Sequence, residues 1–470
     1  MELFIDPTDG RGIATQIYAQ LRDAITDGLL VTGDRLTPSR ALARDLGVSR
    51  FTVTDAYTRL NAEGLVRGRA GGGSIVCATA TRAAVPVAAT ALAPAPQAAQ
   101  TRMFDPNPTS DARYDLRPGR VDPTLFPTSA WRRCMLRALQ EPPPQYGDPA
   151  GTIELRTALA RWVLHSRGID VDPADLVVTS GAQHAIDLVA RAVVEPGATV
   201  AVEEPGYPPV AELLRISGAK VVGVPVDDQG IVVDAIPAGT RLVYVTPSHQ
   251  YPLGMTLSRE RRLELLRWAN TQDAAIVEDD YDTEFRHTAR PLEPLQRLDE
   301  HGRVVYVGTF SKTLSPSLRF GFAAVPRSIA PAVHALRQAV DWCPPALAQA
   351  AMTTFIDEGH LQRHLRRARH VYRHRHQRLW AELTNTLAQH GRPLPSDAGL
   401  HVTVLLHEQL TDDELRAATR PNGIGVASLR GSHRFTTPRS GLIIGFGALA
   451  TDDVPAALHD LSEALGLRTL

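Results

Sequence analysis

Lysine is nearly absent from this 470-residue chain: only Lys220 and Lys312 occur, and the rest of the 50 Lys+Arg are arginines. Any covalent chemistry that needs an amine side chain therefore falls on one of two residues. Cysteine is scarce as well. Cys77, Cys134 and Cys343 are far apart and odd in number, which excludes a disulfide framework or a zinc knuckle and fits a reducing cytoplasm. No metal site is expected. No apolar run of membrane-spanning length is free of proline and charge, so no membrane span is expected. The opening Met1-Glu-Leu-Phe-Ile-Asp lacks the basic and apolar regions of a signal peptide. An excess of one charge is missing too. The 51 Asp+Glu balance the basic residues to a net −1, which excludes a chain that is basic throughout but leaves room for a local patch.

What remains is globular: 43% hydrophobic and 21% charged residues, on a length that supports more than one core. One compositional shift divides it. From Ala78 to Arg102 the chain is rich in Ala, Pro and Thr and has no period of 2 or 3.6, so it cannot bury a face. The expected organisation is a small domain over 1–77, a linker over 78–112 and a large domain over 113–470.

The small domain reads as helices followed by a hairpin. Thr15 is placed to cap a helix with Ile17, Leu21 and Ile25 on one face. A short helix from Pro38 closes at Gly47, and Ser49 caps a third helix from Arg50 to Glu63. Val53, Tyr57 and Leu60 would face its core. Leu65-Val66 and Ile75-Val76 then flank a basic, glycine-rich tip that carries Arg67, Arg69 and Gly72. A helix, a tight turn and a second helix with a cationic start is a layout that enters a DNA major groove. Ser49, Arg50 and Thr52 would lie deepest, where Arg pairs with guanine and Thr meets thymine methyls. Between Arg35 and Arg69 seven arginines face three acids, a local positive patch for phosphates. A side-chain-free tip at Gly72 can approach the backbone or minor groove closely.

The residues Gly33-Asp-Arg-Leu36, Pro38-Ser-Arg40, Leu46-Gly-Val-Ser-Arg50 and Glu63-Gly-Leu65 closely resemble the winged helix-turn-helix of GntR regulators, with Thr37 where a proline is usual. By that resemblance Arg40 clamps a phosphate and Arg50 reads a base.

The large domain alternates short Val/Ile-rich strands with helical segments, which predicts an α/β fold with a largely parallel sheet. Strands are expected at 176–179, 199–202, 221–224, 241–246, 274–277 and 304–308. Arg/His-rich amphipathic helices follow after about residue 331, and then a small α+β section with strands near 401–406 and 442–446. Three segments just past strands carry chemistry: Ser180-Gly-Ala-Gln-His184, Glu278-Asp-Asp-Tyr-Asp282 and Gly308-Thr-Phe-Ser-Lys312.

Pyridoxal phosphate asks a protein for what these segments offer. Lys312 would hold the aldehyde as a Schiff base. Asp279 would face the pyridine nitrogen, and Tyr281 the ring hydroxyl. The helix-start amides of Ala182 and Gln183, with Ser311 and Arg319, would cup the phosphate. Tyr207 would cover the ring.

In this order the motifs resemble fold-type I aminotransferases over roughly residues 115–468. Together with Pro247-Ser-His-Gln250-Tyr-Pro252 they resemble the MocR branch, in which a GntR-type winged helix-turn-helix (α+β) is fused to an α/β aminotransferase-like domain. The resemblance implies a multidomain fold of the type I PLP-dependent transferase class. It further implies a domain-swapped homodimer that binds operator DNA, with each DNA-binding domain over its partner's large domain. It sets His249 and Gln250 where aminotransferases carry an Asn near the ring hydroxyl.

An arginine that grips a substrate carboxylate is missing from the expected C-terminal strand, Leu442-Ile443-Ile444-Gly445-Phe446. Arg430, ahead of Arg434 and Arg439, is the first candidate to replace it. The expected function is a transcription regulator whose effector is pyridoxal phosphate itself or an amine that reacts with it. The rival is a turnover aminotransferase with an accessory N-terminal domain.

Overall fold

A computed structural model describes residues 3–6, 10–69, 73–77, 112–140, 146–287, 292–387 and 390–466. The chain divides into two units, Met1–Ala95 and Pro96–Leu470. Gly72 and all of the expected linker but Ala112 lie outside the described residues.

In the first unit, helices α1 (Ile13–Thr26), α2 (Ser39–Asp45) and α3 (Arg50–Ala62) precede strands β1 (Val66–Arg69) and β2 (Gly73–Val76). Ile17, Leu21, Ile25, Leu42, Val53, Leu60, Val66 and Val76 share one core. The strands pair antiparallel, with Val66 opposite Val76 and Arg69 opposite Gly73. Ser49 caps α3 as expected, its hydroxyl accepting from the Thr52 amide at 3.1 Å. Thr15 caps nothing. Helix α1 starts three residues earlier than that cap implies, with Gly12 at its N-cap, and the Thr15 hydroxyl instead accepts from Arg59 at 3.0 Å. Thr37 fits in place of the usual proline: its carbonyl accepts from the Tyr57 hydroxyl at 2.7 Å and so pins α3 to the entry of α2.

The second unit holds two sheets. Strands β3 (Tyr114–Leu116), β4 (Leu176–Thr179), β5 (Thr199–Glu204), β6 (Lys220–Asp227), β7 (Gly230–Ile231), β8 (Thr240–Val245), β9 (Ala275–Asp280), β10 (Val304–Thr309) and β11 (Gly321–Ala324) come first. They are followed by β12 (Gly391–Pro393), β13 (His401–Leu406), β14 (Ile424–Ser428) and β15 (Gly441–Gly445). The eight-stranded sheet runs β4-β11-β10-β9-β8-β5-β6-β7. Its five strands from β10 to β6 are parallel. Strand β11 is antiparallel to both β10 and β4, so β4 again points the way β10 does. The carboxyl ends of β4, β5, β8, β9 and β10 therefore share one edge, where open α/β sheets take ligands. Buried Val and Ile side chains of these strands pack on both faces. The smaller sheet runs β12-β13-β15-β14-β3. The helix His360–Thr386 buries Leu365, Tyr372, Leu379 and Leu383 in the core shared with this sheet. No described helix is long and apolar enough to cross a membrane.

Candidate functional site

At that shared edge lies a cavity of about 260 Å³. All eight residues expected to hold the cofactor line it: Ala182, Gln183, Tyr207, Asp279, Tyr281, Ser311, Lys312 and Arg319. Parallel pairing explains the meeting of the most important two. Asp279 near the end of β9 sits opposite Val307 of β10, and Lys312 follows β10 by three residues.

Asp279 is buried, and its two oxygens differ. Oδ2 accepts from the Tyr244 hydroxyl at 2.7 Å, whereas Oδ1 has no partner. Burial pushes this carboxyl up to about 7, against the pull of the Tyr244 hydrogen bond. A buried acceptor without a donor is costly unless a ligand supplies one. Lys312 Nζ donates to the Gly119 carbonyl at 3.0 Å. Burial lowers its pKa, although Asp282 and Asp279 pull the other way, and this favours the neutral, nucleophilic amine. A Cβ at Gly119, whose φ is +79°, would stand 2.8 Å from Nζ. The left-handed φ is what asks for glycine there, since the tip of the lysine could shift.

The anion cup is built on a second glycine. Gly181, at φ +103°, turns the chain from β4 into helix Ala182–Val193 and leaves the helix-start amides free of any side-chain cap. Arg319 adopts a left-handed conformation at φ +54°, and its guanidinium donates to the Ser180 carbonyl. The same guanidinium lies 3.1 Å from where a Cβ on Gly181 would stand. The Ser311 hydroxyl accepts from Thr309 Oγ1 at 3.0 Å. Gln183 ties its side chain to the Pro209 carbonyl at 3.0 Å, so its main-chain amide is what it offers a ligand. Tyr207 is 38% exposed and meets Tyr251 edge-on at 5.3 Å.

Several residues that sequence reasoning passed over complete the site. Tyr244 and Gly119 are two. Asp282 is a third: it lines the cavity and lies 3.0 Å from His249 Nδ1. The Tyr281 hydroxyl donates to the His249 carbonyl at 2.9 Å. His401 also lines the cavity, with its ring 4.7 Å from that of His249. Ligand-type atoms of His249, Asp282 and His401 lie within 4.8 Å of one another. They are engaged in hydrogen bonds, however: His249 Nε2 with Ser396 at 3.0 Å and His401 Nε2 with the Pro252 carbonyl at 3.1 Å.

Arg430 lies apart from the cavity. It sits in the turn Leu429–Ser432, where Leu429 takes the buried position, and its guanidinium lies 3.5 Å from Gln409 Oε1. Arg319 is the only arginine among the described residues that line the cavity.

On the first unit, Arg40, Ser49, Arg50 and Arg67 are exposed. Thr52 is half-buried, its hydroxyl 2.8 Å from that of Ser49. Between Arg50 and Thr52, Phe51 is 81% exposed at the start of α3. The sequence gives no local signal for an aromatic exposed at this point, because a Phe in a helix ordinarily marks a core position.

Comparison with known proteins covers both units. Residues 13–76 match the model for bacterial regulatory proteins of the gntR family, and residues 122–440 match aminotransferase class I and II. The chain is 36% identical to the probable rhizopine catabolism regulatory protein MocR of Rhizobium meliloti, over 96% of this chain and 93% of that one. It is 31% identical to the HTH-type pyridoxine biosynthesis transcriptional regulator PdxR of Corynebacterium glutamicum, over 99% of each. Among solved structures it resembles Pyrococcus horikoshii kynurenine aminotransferase in complex with PMP, with a TM-score of 0.73 and 25% identity over 79% of this chain and 96% of that one. It also resembles Thermus thermophilus LysN, an α-aminoadipate aminotransferase complexed with N-(5'-phosphopyridoxyl)-L-leucine, with a TM-score of 0.72 and 25% identity over the same shares.

Proposed function

We propose, since the chain belongs to the MocR-type regulators in which a gntR-family unit is joined to an aminotransferase class I and II domain, that it regulates transcription by binding operator DNA under the control of pyridoxal phosphate. The observation that carries the cofactor reading is the unpartnered, buried Oδ1 of Asp279 in a cavity that also holds the half-buried Lys312. A protonated pyridine nitrogen supplies the donor that this oxygen lacks.

Lys312 would supply the amine that holds the cofactor's aldehyde. The amides of Ala182 and Gln183, the Ser311 hydroxyl and Arg319 would take its phosphate. Tyr281 would stand at the ring hydroxyl and Tyr207 against the ring. When bound, the cofactor supplies an electrophilic carbon that exchanges one amine for another. Asp279 stabilises the cationic ring, with Tyr244 fixing its carboxylate, and the glycine at 119 lets Lys312 reach a carbonyl without crowding.

The lining favours control over turnover. Catalysis on an amino acid calls for a cation at the substrate carboxylate, and among the described residues the only arginine that lines the cavity is the one assigned to the phosphate. The effector is therefore the cofactor itself or an amine that exchanges at Lys312. Arg40, Ser49, Arg50, Thr52 and Arg67 would form the operator-reading surface, with Phe51 placed to meet thymine methyls. An exposed aromatic pair, Tyr146 and Trp342, with ring centroids 5.5 Å apart, supports a homodimer.

The deciding test is Lys312→Ala. The purified variant should lack visible absorbance after incubation with pyridoxal phosphate. It should also lose the change in operator affinity that the cofactor or an amine causes, while binding in the absence of effector stays at the wild-type level. An unchanged effector response in this variant would refute the proposal.

A further inference from the structure

The helix His360–Thr386 carries seven arginines and a single acid, Glu382, in a chain whose net charge is only −1. Three of the arginines are engaged with the protein. Arg375 is buried on Asp122, Arg369 donates to the Glu284 carbonyl, and Arg378 faces Glu382. The other four, Arg363, Arg366, Arg367 and Arg373, are exposed, as are His370 and His374. Their spacing of three and four residues puts all six on one helix face. At the α-helical rise this stripe is about 16 Å long. Among the described residues none of the four arginines has a carboxylate partner; Arg363 alone is hydrogen-bonded, to the Glu358 carbonyl and His360.

A groove of about 590 Å³ extends the stripe sideways, lined among others by Thr128, Ser129, Arg133, His360, Arg363 and Arg367. It takes in the first turn of the 11-residue helix Thr128–Ala138, whose amides and dipole favour an anion. The groove shares Arg363 and Arg367 with the stripe and adds Arg133 and a helix start, and the regular row of arginines suits regularly spaced phosphates.

We propose that this face of the large unit is a second contact surface for double-stranded DNA, gripping phosphates outside the operator bases read by α3. The inference rests on the operator-binding reading above. Arginine forks suit phosphate oxygens, and a row of like charges suits a backbone carrying a charge every few ångströms. A second copy of the chain is a poorer occupant wherever the two-fold axis crosses the stripe, because there each arginine would meet its own counterpart. Since both surfaces belong to one chain, the second adds affinity through effective concentration and needs no sequence preference.

The test uses the full-length protein with Arg363, Arg366, Arg367 and Arg373 all changed to Ala. Binding is measured at several salt concentrations to two duplexes from the region upstream of its own coding sequence. One is trimmed to the footprint and the other is extended by roughly two helical turns of DNA. On the extended duplex the variant should bind at least tenfold more weakly, and the slope of log affinity against log salt should flatten by roughly 2 to 4. On the trimmed duplex it should match the wild type within twofold. The corresponding Arg→Lys variant, which keeps the charge, should retain the steep slope. Equal losses on both duplexes, or no loss on either, would overturn the proposal. So would lost regulation in cells with DNA affinity intact, which would assign the face to an acidic protein instead. Arg50→Ala keeps the two readings apart: if it leaves both duplexes bound as before, the operator reading fails whatever the stripe does.

Discussion

Replacing Asp279 by Asn keeps the side chain's shape and removes its charge, which isolates what burial does to the carboxyl. In the unfolded chain an aspartic acid loses its proton near pH 4. In the folded protein burial moves this one to about 7. Between those values the native state keeps a proton that the unfolded state has released. The wild-type apoprotein must therefore lose stability relative to Asp279→Asn as pH rises from about 4 to about 7, with no further change above that. Thermal unfolding of both apoproteins at pH 5 and pH 8 should show the gap moving against the wild type at the higher pH; a constant gap would mean that burial does not raise this carboxyl. Bound pyridoxal phosphate should shrink this penalty, because a cation opposite Oδ1 favours the ionised form. Asp279 and Lys312 were both legible in the sequence, since each is a scarce or clustered group at a strand end. Tyr244 and Gly119 were not. Tyr244 sits inside the run Leu242-Val-Tyr-Val245 and looks like a core residue, which it is, apart from its hydroxyl. Gly119 lies 193 positions from Lys312, a distance that no local motif spans.

Capping offers the sharpest comparison among the elements. Ser49 accepts a helix-start amide and Thr15 does not. Ser49→Ala should therefore destabilise the N-terminal unit by about 1 kcal/mol, whereas Thr15→Ala should cost clearly less, removing only an exposed hydrogen bond to Arg59. Denaturant unfolding followed by a probe in the first unit separates the two; equal costs would mean that α1 is capped by Thr15 in solution after all. The error over Thr15 has a simple origin, because Gly12 caps with its backbone alone and gives no side-chain signal. Strand prediction failed for a related reason at β11. Gly321-Phe-Ala-Ala324 has no β-branched residue, and small residues are required there: a Cβ on Gly321 would stand 2.7 Å from the Cα of Gly181. The expected strands of the parallel core were found because Val and Ile fill both faces of a doubly covered sheet. Strand β4 ends where expected and β8 one residue short, whereas β5, β6, β9 and β10 run one to three residues further, into polar residues such as Glu203, Glu204, Asp279 and Asp280. Of these, Asp279 lines the cavity, whereas Glu203 accepts from the Thr246 hydroxyl, Glu204 from the Arg434 amide, and Asp280 pairs with Arg167.

For the whole molecule, the proposed regulation needs a route from a cavity in one unit to a DNA surface in the other, and a dimer would supply one. Tyr146 is 73% exposed and Trp342 is 54% exposed, a poor use of aromatic surface in a monomer and a good one in a subunit contact. If a second copy covers them, each particle carries two operator readers, and a duplex with two correctly spaced half-sites should bind on the order of a hundredfold or more tighter than one with a single half-site. Trp342→Glu places a charge in that contact. It should shift the protein towards monomer in sedimentation and bring the affinity ratio between the two duplexes close to one, while leaving single-site binding as it was, because α3 is untouched. A Trp342→Glu protein that remains dimeric would remove this residue from the interface. A monomeric one that keeps the full ratio would show that the two half-sites are not read by one dimer, and a signal passed through subunit geometry would then have no route to the DNA.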